Sequence, residues 1–485
     1  MQVLAHASVG TTQSVAVASE LARCNSWHLQ LLAPIPCNFT PAPDGRPQLS
    51  VRSPAAQGEG TPVDQGSATA DTYEVLPLRT APDGTVHVPG SKSVTNRALL
   101  CAALAPGRST LRDVLVADDT RAMMDALTSF GALVTLDEEA RTVEVIGADL
   151  DVGGDITVYA RHSGTTSRLV LPAATLRSGT TLLDGTDQLR ARPFGPQLAA
   201  LRQLGATLEE RGRPGCLPIK VLSRSRGGHA DITGDVSSQF ISGLLLAGPL
   251  MPEGLDLALT TDLVSEPYLD ITRDVMAAFG VSVEGLRVAP GRYQAADFTV
   301  EPDASSASYF FGAAAVTGGR VTVEGLGTGS AQGDVAFVDA LEQMGAHVER
   351  NPYRTTVTGP AQLHGIHIDM RHVSDTAQTL AAVAVYADSP TRVRGIGFIR
   401  GKQTDRIGAI VTELRRAGLE AQEHDDGFTV VPGTPQPVVF QTYEDHRMAM
   451  SLALLGLGFP GIALADPGCV AKTYPGFFTD LDKLR

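Results

Sequence analysis

Basic side chains recur where apolar segments of this chain begin or turn. Lys92 and Arg97 flank Ser93 in GSKSVTNR, Arg168 ends the motif SGTTSR, and Arg447 lies in YEDHRMAM. The same kind of side chain occurs in loops between apolar segments, at Arg192, Lys402, Arg406 and Lys472. A single residue of this kind is more often a solvated surface charge. In a chain whose formal net charge is -14, the whole set indicates one cleft for a ligand, or a ligand pair, with several negative charges.

The helices that begin at these motifs indicate the same chemistry. A helix N-terminus leaves backbone N–H groups free and carries the positive end of the helix dipole, so Ser, Thr or Gly there can bind phosphate or carboxylate. The alternative is ordinary N-capping by Ser, Thr and Asp, which a single copy would favour. The basic residues beside several of these helix starts favour anion binding.

The motifs belong to a unit that repeats six times. Each copy begins with small polar residues, continues as an Ala- and Leu-rich helix and passes through a Gly-containing turn into a strand. Equivalent positions lie roughly 70 residues apart, at Ser93, Thr165, Ser238, Ser306, Asp375 and His446. A second apolar helix, a Gly and a strand lie between successive copies, as in MMDALTSFGALV and VDALEQMGAHV. Solenoid units are usually shorter, about 20–45 residues. The repeats therefore predict an α/β protein of six βαβαββ-type units that close in threes into two globular domains.

Composition excludes several classes of protein. A chain of 485 residues with 43% hydrophobic and 19% charged residues predicts two or three packed domains. The acidic balance argues against a nucleic-acid partner, and no apolar run approaches the ~18 residues of a membrane helix. The sequence contains no Walker A motif, HExxH, zinc-type Cys/His spacing or nucleophile elbow. We therefore expect no cofactor, no metal, no nucleic acid and no membrane partner.

The N-terminal stretch and the cysteines support two further expectations. The later part of residues 1–72 is rich in Pro, Gly, Ser, Ala and Gln, which predicts a low-complexity or disordered extension without a catalytic role. A start codon placed too early, or an ordered tail packed on the surface, are the alternatives. The five cysteines are scattered without a CxxC pair, and the first residues lack the features of a signal peptide, so we expect a cytoplasmic protein.

Ten motifs in a fixed order carry a specific resemblance. GSKSVTNRALL, SGTTSR, RARPF, GDVSSQF, LVSEPY, DASSASYF, QGD, GKQTDR, YEDHRMAM and GCVAKTYPGFF occur as they do in 3-phosphoshikimate 1-carboxyvinyltransferases. The resemblance covers roughly residues 75–485 and implies the two-domain enolpyruvyl-transferase fold, with three repeats per domain around an interdomain cleft. Because the chain of that family crosses twice between domains, one domain would be 91–301 and the other 75–90 joined to 302–485.

The activity that the resemblance implies is the transfer of an enolpyruvyl group. The family moves this group from phosphoenolpyruvate to the 5-hydroxyl of shikimate 3-phosphate and releases phosphate, in chorismate and aromatic amino acid biosynthesis. We therefore expect these two small molecules as substrates of a monomeric protein. The site must first hold two anions together, and then take a proton from the hydroxyl while C3 of the enol gains one.

Site residues follow from the resemblance, motif by motif. The shikimate 3-phosphate contacts would be Lys92, Ser93, Arg97, Ser237, Ser238, Ser265, Tyr268, Asp334 and Lys402. The phosphoenolpyruvate contacts would be Lys92, Gly164, Arg192, Gln239, Arg406, Arg447 and Lys472. The implied catalytic residues are Asp334, as the base at the 5-hydroxyl, together with Lys92 and Gln403. Without the resemblance, Asp334 would be interpreted as a helix N-cap, and the Ser237 motif as an ordinary polar helix start.

Gln403 is the departure from the family that matters for chemistry. Many members carry Glu at this position of GKQTDR, and Gln has no titratable proton. Either Lys92 and Asp334 manage the proton transfers, or the rate is reduced. A second departure, His162 in place of a common Asn before SGTTSR, concerns packing near phosphate.

Two other functions stay open at this point. A catalytically weakened paralogue that binds shikimate-type ligands would be compatible with Gln403. The related enolpyruvyl transferase that acts on UDP-N-acetylglucosamine is disfavoured by the motifs GSKS and SSQF. Release of phosphate in the presence of both substrates would separate the three functions.

Overall fold

The computed structural model of the chain describes residues 72–151 and 153–485. Apart from Thr72, the predicted N-terminal extension lies outside the described residues. The strands are β1 (Thr72–Val75), β2 (Asp83–Val86), β3 (Arg108–Arg112), β4 (Leu133–Asp137), β5 (Thr142–Ile146), β6 (Ile156–Tyr159), β7 (Thr181–Asp184), β8 (Leu208–Glu210), β9 (Ile219–Val221), β10 (Gly228–Ile232), β11 (Leu255–Leu259), β12 (Arg287–Val288), β13 (Asp297–Thr299), β14 (Arg320–Glu324), β15 (His347–Asn351), β16 (Arg354–Thr358), β17 (His367–Asp369), β18 (Thr391–Arg394), β19 (Ala421–His424), β20 (Gly427–Val430), β21 (Val438–Phe440) and β22 (Ile462–Ala465).

Helices alternate with these strands along the whole described chain. The α-helices are α1 (Lys92–Leu104), α2 (Asp118–Ser129), α3 (Gly164–Ala174), α4 (Asp187–Arg190), α5 (Gly195–Gln203), α6 (Ser238–Ala247), α7 (Pro267–Ala278), α8 (Ala304–Thr317), α9 (Phe337–Gln343), α10 (Ala377–Ala384), α11 (Arg406–Arg416), α12 (His446–Gly456) and α13 (Phe477–Asp482). Short 3-10 helices span Gly248–Leu250, Gly333–Ala336, Ser374–Thr376, Gly397–Gly401 and Pro467–Lys472.

One pattern of strand pairing recurs in six small sheets of the described chain. Their strand orders are β13-β3-β5-β4, β6-β7-β9-β8, β10-β11-β12, β15-β16-β14-β2, β17-β18-β20-β19 and β1-β22-β21. In each sheet one strand pairs parallel with one neighbour and antiparallel with the other; β7, for example, is parallel to β6 and antiparallel to β9. A parallel pair needs a crossover connection. The buried helices α3 (Gly164–Ala174), α6 (Ser238–Ala247), α10 (Ala377–Ala384) and α12 (His446–Gly456) supply it in four of the sheets. In the other two sheets the parallel partners, β13 with β3 and β14 with β2, are far apart in the sequence.

Buried apolar side chains form two separate cores. One core takes its residues from Val94 to Val300. The other takes them from Val75 to Val88 and from Ala304 to Leu484. The fold therefore has two domains, which we call domain A and domain B in that order; the boundaries given above for each domain stay a prediction.

The two chain segments that connect the domains run side by side. The backbone N–H of Ser91 donates to the carbonyl of Glu301 at 2.8 Å, and that of Asp303 donates to the carbonyl of Pro89 at 2.9 Å. These bonds join the segment entering domain A to the segment leaving it.

One helix from each repeat is buried on nearly all sides: α1, α3 and α6 in domain A, and α8, α10 and α12 in domain B. Small residues let these helices approach closely. A Cβ added to Gly243 in α6 would lie 2.4 Å from the carbonyl oxygen of Arg168 in α3. In α8, a Cβ on Gly312 would lie 2.9 Å from Leu454 Cδ1 of α12. The tight packing fixes the positions of the helix N-termini, where the site is found.

Candidate functional site

A small cavity, here called the inner cavity, lies where helix N-termini from both domains meet. Its volume is about 60 Å³. It is lined by Lys92, Asp119, Gly164, Thr165, Arg168, Arg192, Gln239, Asp375, Lys402, Gln403, Arg406, His446, Arg447 and Lys472. Seven of these residues are Lys or Arg and two are Asp. A site with this charge attracts anions even though the whole chain is acidic.

All seven residues that the resemblance assigned to phosphoenolpyruvate line the inner cavity. Of the predicted shikimate 3-phosphate contacts, Lys92 and Lys402 line it too. Ser237 lines an adjoining cavity of about 200 Å³, which shares Arg168 and Lys402 with the inner cavity. The remaining predicted contacts line neither of these two cavities: Ser93, Arg97, Ser238, Ser265, Tyr268 and Asp334.

Side chains cap the helices that reach the site. The capping oxygens belong to Ser91, Ser163, Ser237, Asp303 and Asp445, each of which accepts from an N–H in the first turn of its helix. Ordinary N-capping and site formation therefore coexist. In α1, α3, α6 and α12 the residues just after the cap line the inner cavity.

Arg192 has donors that no described protein group satisfies. Its Nε and Nη2 atoms are buried and have no hydrogen-bond partner. Burial lowers the pKa of this guanidinium, and Asp119 and Asp445 only partly oppose the effect. Gly164 makes room for the group, since a Cβ there would lie 2.7 Å from Arg192 Nη1. An anionic ligand in the inner cavity would satisfy these donors.

Asp119 bridges two of the cavity lysines. Its carboxylate oxygens lie 3.5 Å from Lys92 Nζ and 3.2 Å from Lys472 Nζ. Burial raises the pKa of Asp119, but Lys472 and Lys92 outweigh this and hold it below its ordinary value. Lys472, from domain B, also donates to the carbonyl of His162 in domain A at 3.0 Å. Lys472 therefore joins the two domains at the edge of the cavity.

Asp375 is the second carboxylate of the inner cavity. Its Oδ1 accepts from Arg406 at 3.1 Å, and its Oδ2 accepts from Arg447 at 2.7 Å and from the Tyr268 hydroxyl at 3.1 Å. Burial raises its pKa, but Arg447, Lys402 and Arg406 outweigh the burial and hold the pKa well below the ordinary value. Asp375 is therefore an ionised group at the cavity wall.

Asp334 shares a hydrogen-bond donor, the Tyr268 hydroxyl, with Asp375. Its Oδ2 accepts from the Tyr268 hydroxyl at 3.4 Å and from Ser305 Oγ, while its Oδ1 is buried and has no partner among the described residues. Burial and then the charge of Asp375 raise its pKa to about 7. Because Asp334 does not line the cavity, the geometry does not favour it as the group that touches an acceptor hydroxyl. Of Asp334 and Asp375, Asp375 is the one that lines the cavity.

Arg97 has a largely structural environment. It is 1% exposed, and its guanidinium donates to Thr272 Oγ1 at 2.8 Å, to Ser242 Oγ at 3.0 Å and to the carbonyls of Ser93 and Tyr268. Burial lowers its pKa to about 10. Arg97 thus fixes α7, and with it Tyr268, against α1 and α6.

Gln403 and its neighbour Lys402 differ in their surroundings. The Gln403 side-chain amide donates to the backbone carbonyl of Glu444 and lines both the inner cavity and an outer cavity of about 380 Å³. Burial lowers the pKa of Lys402 to about 8, which Asp375 partly opposes. Lys402, like Arg168, is a cation that the inner cavity and the Ser237 cavity share.

Sequence reasoning did not assign five lining residues to ligands: Asp119, Thr165, Arg168, Asp375 and His446. Four of them lie in the repeated motifs and were used there as repeat markers or as part of the cation set. Asp119 follows an apolar stretch at the start of α2, and nothing in its sequence context marks it as a site residue. Burial and four nearby cations hold the pKa of His446 well below its ordinary value, so its imidazole is neutral.

Within residues 72–151 and 153–485, no group of three or more His, Cys, Asp or Glu side chains is placed to hold a metal ion. No helix in the same residues is long and apolar enough to cross a bilayer.

The fold and the site together define a two-domain α/β protein with a cation-lined cavity between its domains. A sequence profile described as EPSP synthase (3-phosphoshikimate 1-carboxyvinyltransferase) matches residues 79–481. The chain belongs to this family, which confirms the resemblance inferred from the ten motifs.

Curated relatives and solved structures agree with this assignment. The 3-phosphoshikimate 1-carboxyvinyltransferase of Nostoc punctiforme is 44% identical over 421 residues, which cover 84% of this chain and 98% of the relative. That of Escherichia coli K12 is 40% identical over 415 residues, which cover 83% and 96%. The structure of EPSP synthase from Acinetobacter baumannii aligns with a TM-score of 0.71 at 25% identity and covers 85% of this chain and 98% of that one. The predicted fold class is confirmed.

Proposed function

We propose that this chain transfers the enolpyruvyl group of phosphoenolpyruvate to the 5-hydroxyl of shikimate 3-phosphate, as its curated relatives are named for doing. The observation that carries the proposal is the convergence of all seven predicted phosphoenolpyruvate residues on one cavity. Two phosphorylated carboxylates of this size need several cations in a dry site, and the inner cavity supplies seven.

Each substrate has a distinct part of the site. Lys92, Arg192 and Lys472 surround Asp119 and would bind the phosphate or carboxylate of phosphoenolpyruvate, with the open Arg192 donors turned to the ligand. Ser237 and Lys402 line the adjoining cavity and would bind the phosphate of shikimate 3-phosphate. Lys402 then lies between the two substrates, where its positive charge offsets the repulsion between their negative charges.

The chemistry requires one base and one acid. We assign the base to Asp375, because it lines the cavity beside Lys402 and is ionised; Asp334, predicted for this role, lies behind Tyr268. The 5-hydroxyl oxygen attacks C2 of phosphoenolpyruvate and loses its proton to Asp375, while Lys92 delivers a proton to C3. The tetrahedral adduct then returns a proton from C3 to Lys92 while the bond between C2 and the phosphate oxygen breaks, which releases phosphate.

Phosphate release measured with both substrates, and with each omitted, tests the function. We expect release only when both are present, together with formation of the enolpyruvyl ether. Binding of shikimate 3-phosphate without any turnover would contradict the proposal and favour the weakened paralogue. Turnover with UDP-N-acetylglucosamine in place of shikimate 3-phosphate would identify the related transferase instead.

The proposal includes the setting in which the reaction takes place. We place it in the cytoplasm, as the cysteine pattern and the N-terminus predict, and in a monomer, as expected above with the resemblance. Light scattering on the purified chain under turnover conditions tests whether the protein is a monomer. We expect a mass near the 50.8 kDa of one chain. A dimer mass that persists on dilution would contradict it.

A further inference from the structure

Two carboxylates from domain B meet one hydroxyl from domain A at the back of the site. The Tyr268 oxygen lies 3.1 Å from Asp375 Oδ2 and 3.4 Å from Asp334 Oδ2. A tyrosine hydroxyl has a single proton to donate, so it can serve only one of the two carboxylates at a time. The other oxygen can then approach the tyrosine favourably only if its own carboxyl carries a proton.

Other donors distinguish the two carboxylates. Arg447 donates to Asp375 Oδ2 at 2.7 Å and to Ser305 Oγ at 3.3 Å, and Arg406 donates to Asp375 Oδ1. Asp334 receives only the Ser305 and Tyr268 hydroxyls, both on Oδ2, and its buried Oδ1 receives nothing among the described residues. An ionised carboxylate is costly in such surroundings, so an extra proton in this pair belongs on Asp334.

We propose that Asp334 stores the proton that Asp375 removes from the acceptor hydroxyl, and that it receives this proton through the Tyr268 hydroxyl. Asp375 becomes protonated when the hydroxyl oxygen attacks C2 of phosphoenolpyruvate. It then donates to the Tyr268 oxygen while the Tyr268 O–H donates to Asp334 Oδ2, which leaves Asp375 ionised, Tyr268 neutral and Asp334 neutral. After phosphate has formed, the same path in reverse returns the proton to the cavity. Asp334 is therefore a positioning residue that acts through Tyr268, and the inference rests on the proposed function.

The electrostatics of the surrounding elements agree with this direction of transfer. The charged and titratable groups that act on Asp334 are Tyr268 of α7, Asp303 at the start of α8, Asp375 before α10 and Arg447 of α12. The pKa of Asp334 is raised to about 7, mainly by burial, whereas that of Asp375 is well below its ordinary value. The pKa of Tyr268 is raised well above its ordinary value by burial, so Tyr268 passes the proton on without itself ionising.

The first test is the pH profile of kcat/KM for the full chain and four variants. Below about pH 7 Asp334 already carries a proton and cannot accept another, so wild-type kcat/KM should fall as the pH drops through this value. In Asp334→Asn and in Tyr268→Phe, kcat should fall about tenfold or more, and the decrease of kcat/KM at low pH should disappear. KM for shikimate 3-phosphate should stay within about threefold, since Asp334 and Tyr268 line neither cavity. Their double variant should be no slower than either single variant. Ser305→Ala, which removes the other donor to the same oxygen, should keep the decrease of kcat/KM at low pH.

The second test does not depend on turnover. Infrared titration of the full chain should show a protonated carboxyl band that appears as the pH falls through about 7, and Asp334→Asn should remove it. If the decrease of kcat/KM at low pH or the infrared carboxyl band persists in Asp334→Asn, then Asp334 does not store the proton, even if wild-type turnover is normal. Absence of wild-type turnover together with a normal band would instead overturn the proposed function and leave the shared proton in place.

Discussion

At the scale of single residues, the site balances seven cations with two carboxylates, the buried Asp119 and the partly buried Asp375. Asp119 and Asp375 each hold two or more of these cations in place before any ligand binds. Preorganised charge of this kind acts without reorganisation when a substrate anion arrives. Removing one cation should therefore affect catalysis more than folding.

We expect Lys92→Ala or Arg447→Ala to lower kcat on the order of 10² or more, because one preorganised charge contributes a few kcal/mol in a dry site. Steady-state phosphate release and thermal unfolding measure the two effects separately. Arg108→Ala is the matched control, since Arg108 pairs with Glu144 at an exposed position. Near-normal kcat/KM in both cavity variants would place Lys92 and Arg447 outside the active site.

Gln403→Glu should weaken phosphoenolpyruvate binding and leave kcat unchanged or lower. The Gln403 amide N–H donates to the Glu444 carbonyl, whereas a carboxylate there would face that carbonyl and the substrate anions with like charge. KM should rise about tenfold, a loss of roughly 1.4 kcal/mol in binding. Gln422→Glu, the same change on an exposed strand, is the control. A rise in kcat would show that a carboxylic acid at this position delivers the proton to C3.

At the scale of helices and strands, the starts of the buried helices determine the site. Their capping serines and aspartates were recognisable in the sequence, and so were the cations beside them. The repeat spacing also predicted which helices would be equivalent. The sequence did not show which carboxylate lines the cavity. This depends on the 3-10 turn Ser374–Thr376, which brings Asp375 to the cavity. It also depends on α7, because Tyr268 of that helix donates to both Asp334 and Asp375.

Asp119 shows why the remaining part of the site could not be predicted. Its role depends on Lys472, which follows it by about 350 residues in the sequence and comes from the other domain. No local pattern encodes such a pairing. Arg97 shows the opposite case, since the motif predicted a ligand contact and the structure surrounds the guanidinium with hydroxyls and carbonyls of the protein.

The start of α3 yields a prediction at this scale. In Gly164→Ala the new Cβ would lie 2.7 Å from Arg192 Nη1 and push the guanidinium aside. We expect KM for phosphoenolpyruvate to rise about tenfold or more while KM for shikimate 3-phosphate changes little, because Arg192 lines only the inner cavity of the two. Gly195→Ala, at the start of α5 with no atom within 4 Å of its Cβ, is the control. If KM for phosphoenolpyruvate is the same in Gly164→Ala as in Gly195→Ala, Arg192 does not bind this substrate.

At the scale of the whole molecule, the described fold begins at β1 rather than at the first residue. We expect deletion of residues 1–70 to leave kcat and Tm nearly unchanged, because the composition of this stretch cannot bury much apolar area. Deletion of residues 1–76 is the matched control. It removes β1, its pairing with β22 and Val75, which is 0% exposed, so Tm should fall. A large loss already in the shorter deletion would show that the extension docks on the folded protein.

The side-by-side crossing of the two connecting segments has a consequence for the order in which the protein forms on the ribosome. Of the described strands, β1 and β2 are synthesised first. β2 pairs with β14, and β1 pairs with β22, which follows β1 by about 390 residues. At roughly 5–20 residues per second, β1 waits on the order of 20–80 s for its partner. All of domain A emerges within that interval and can complete its core. β1, the earliest strand of the described chain, is thus among the last to pair.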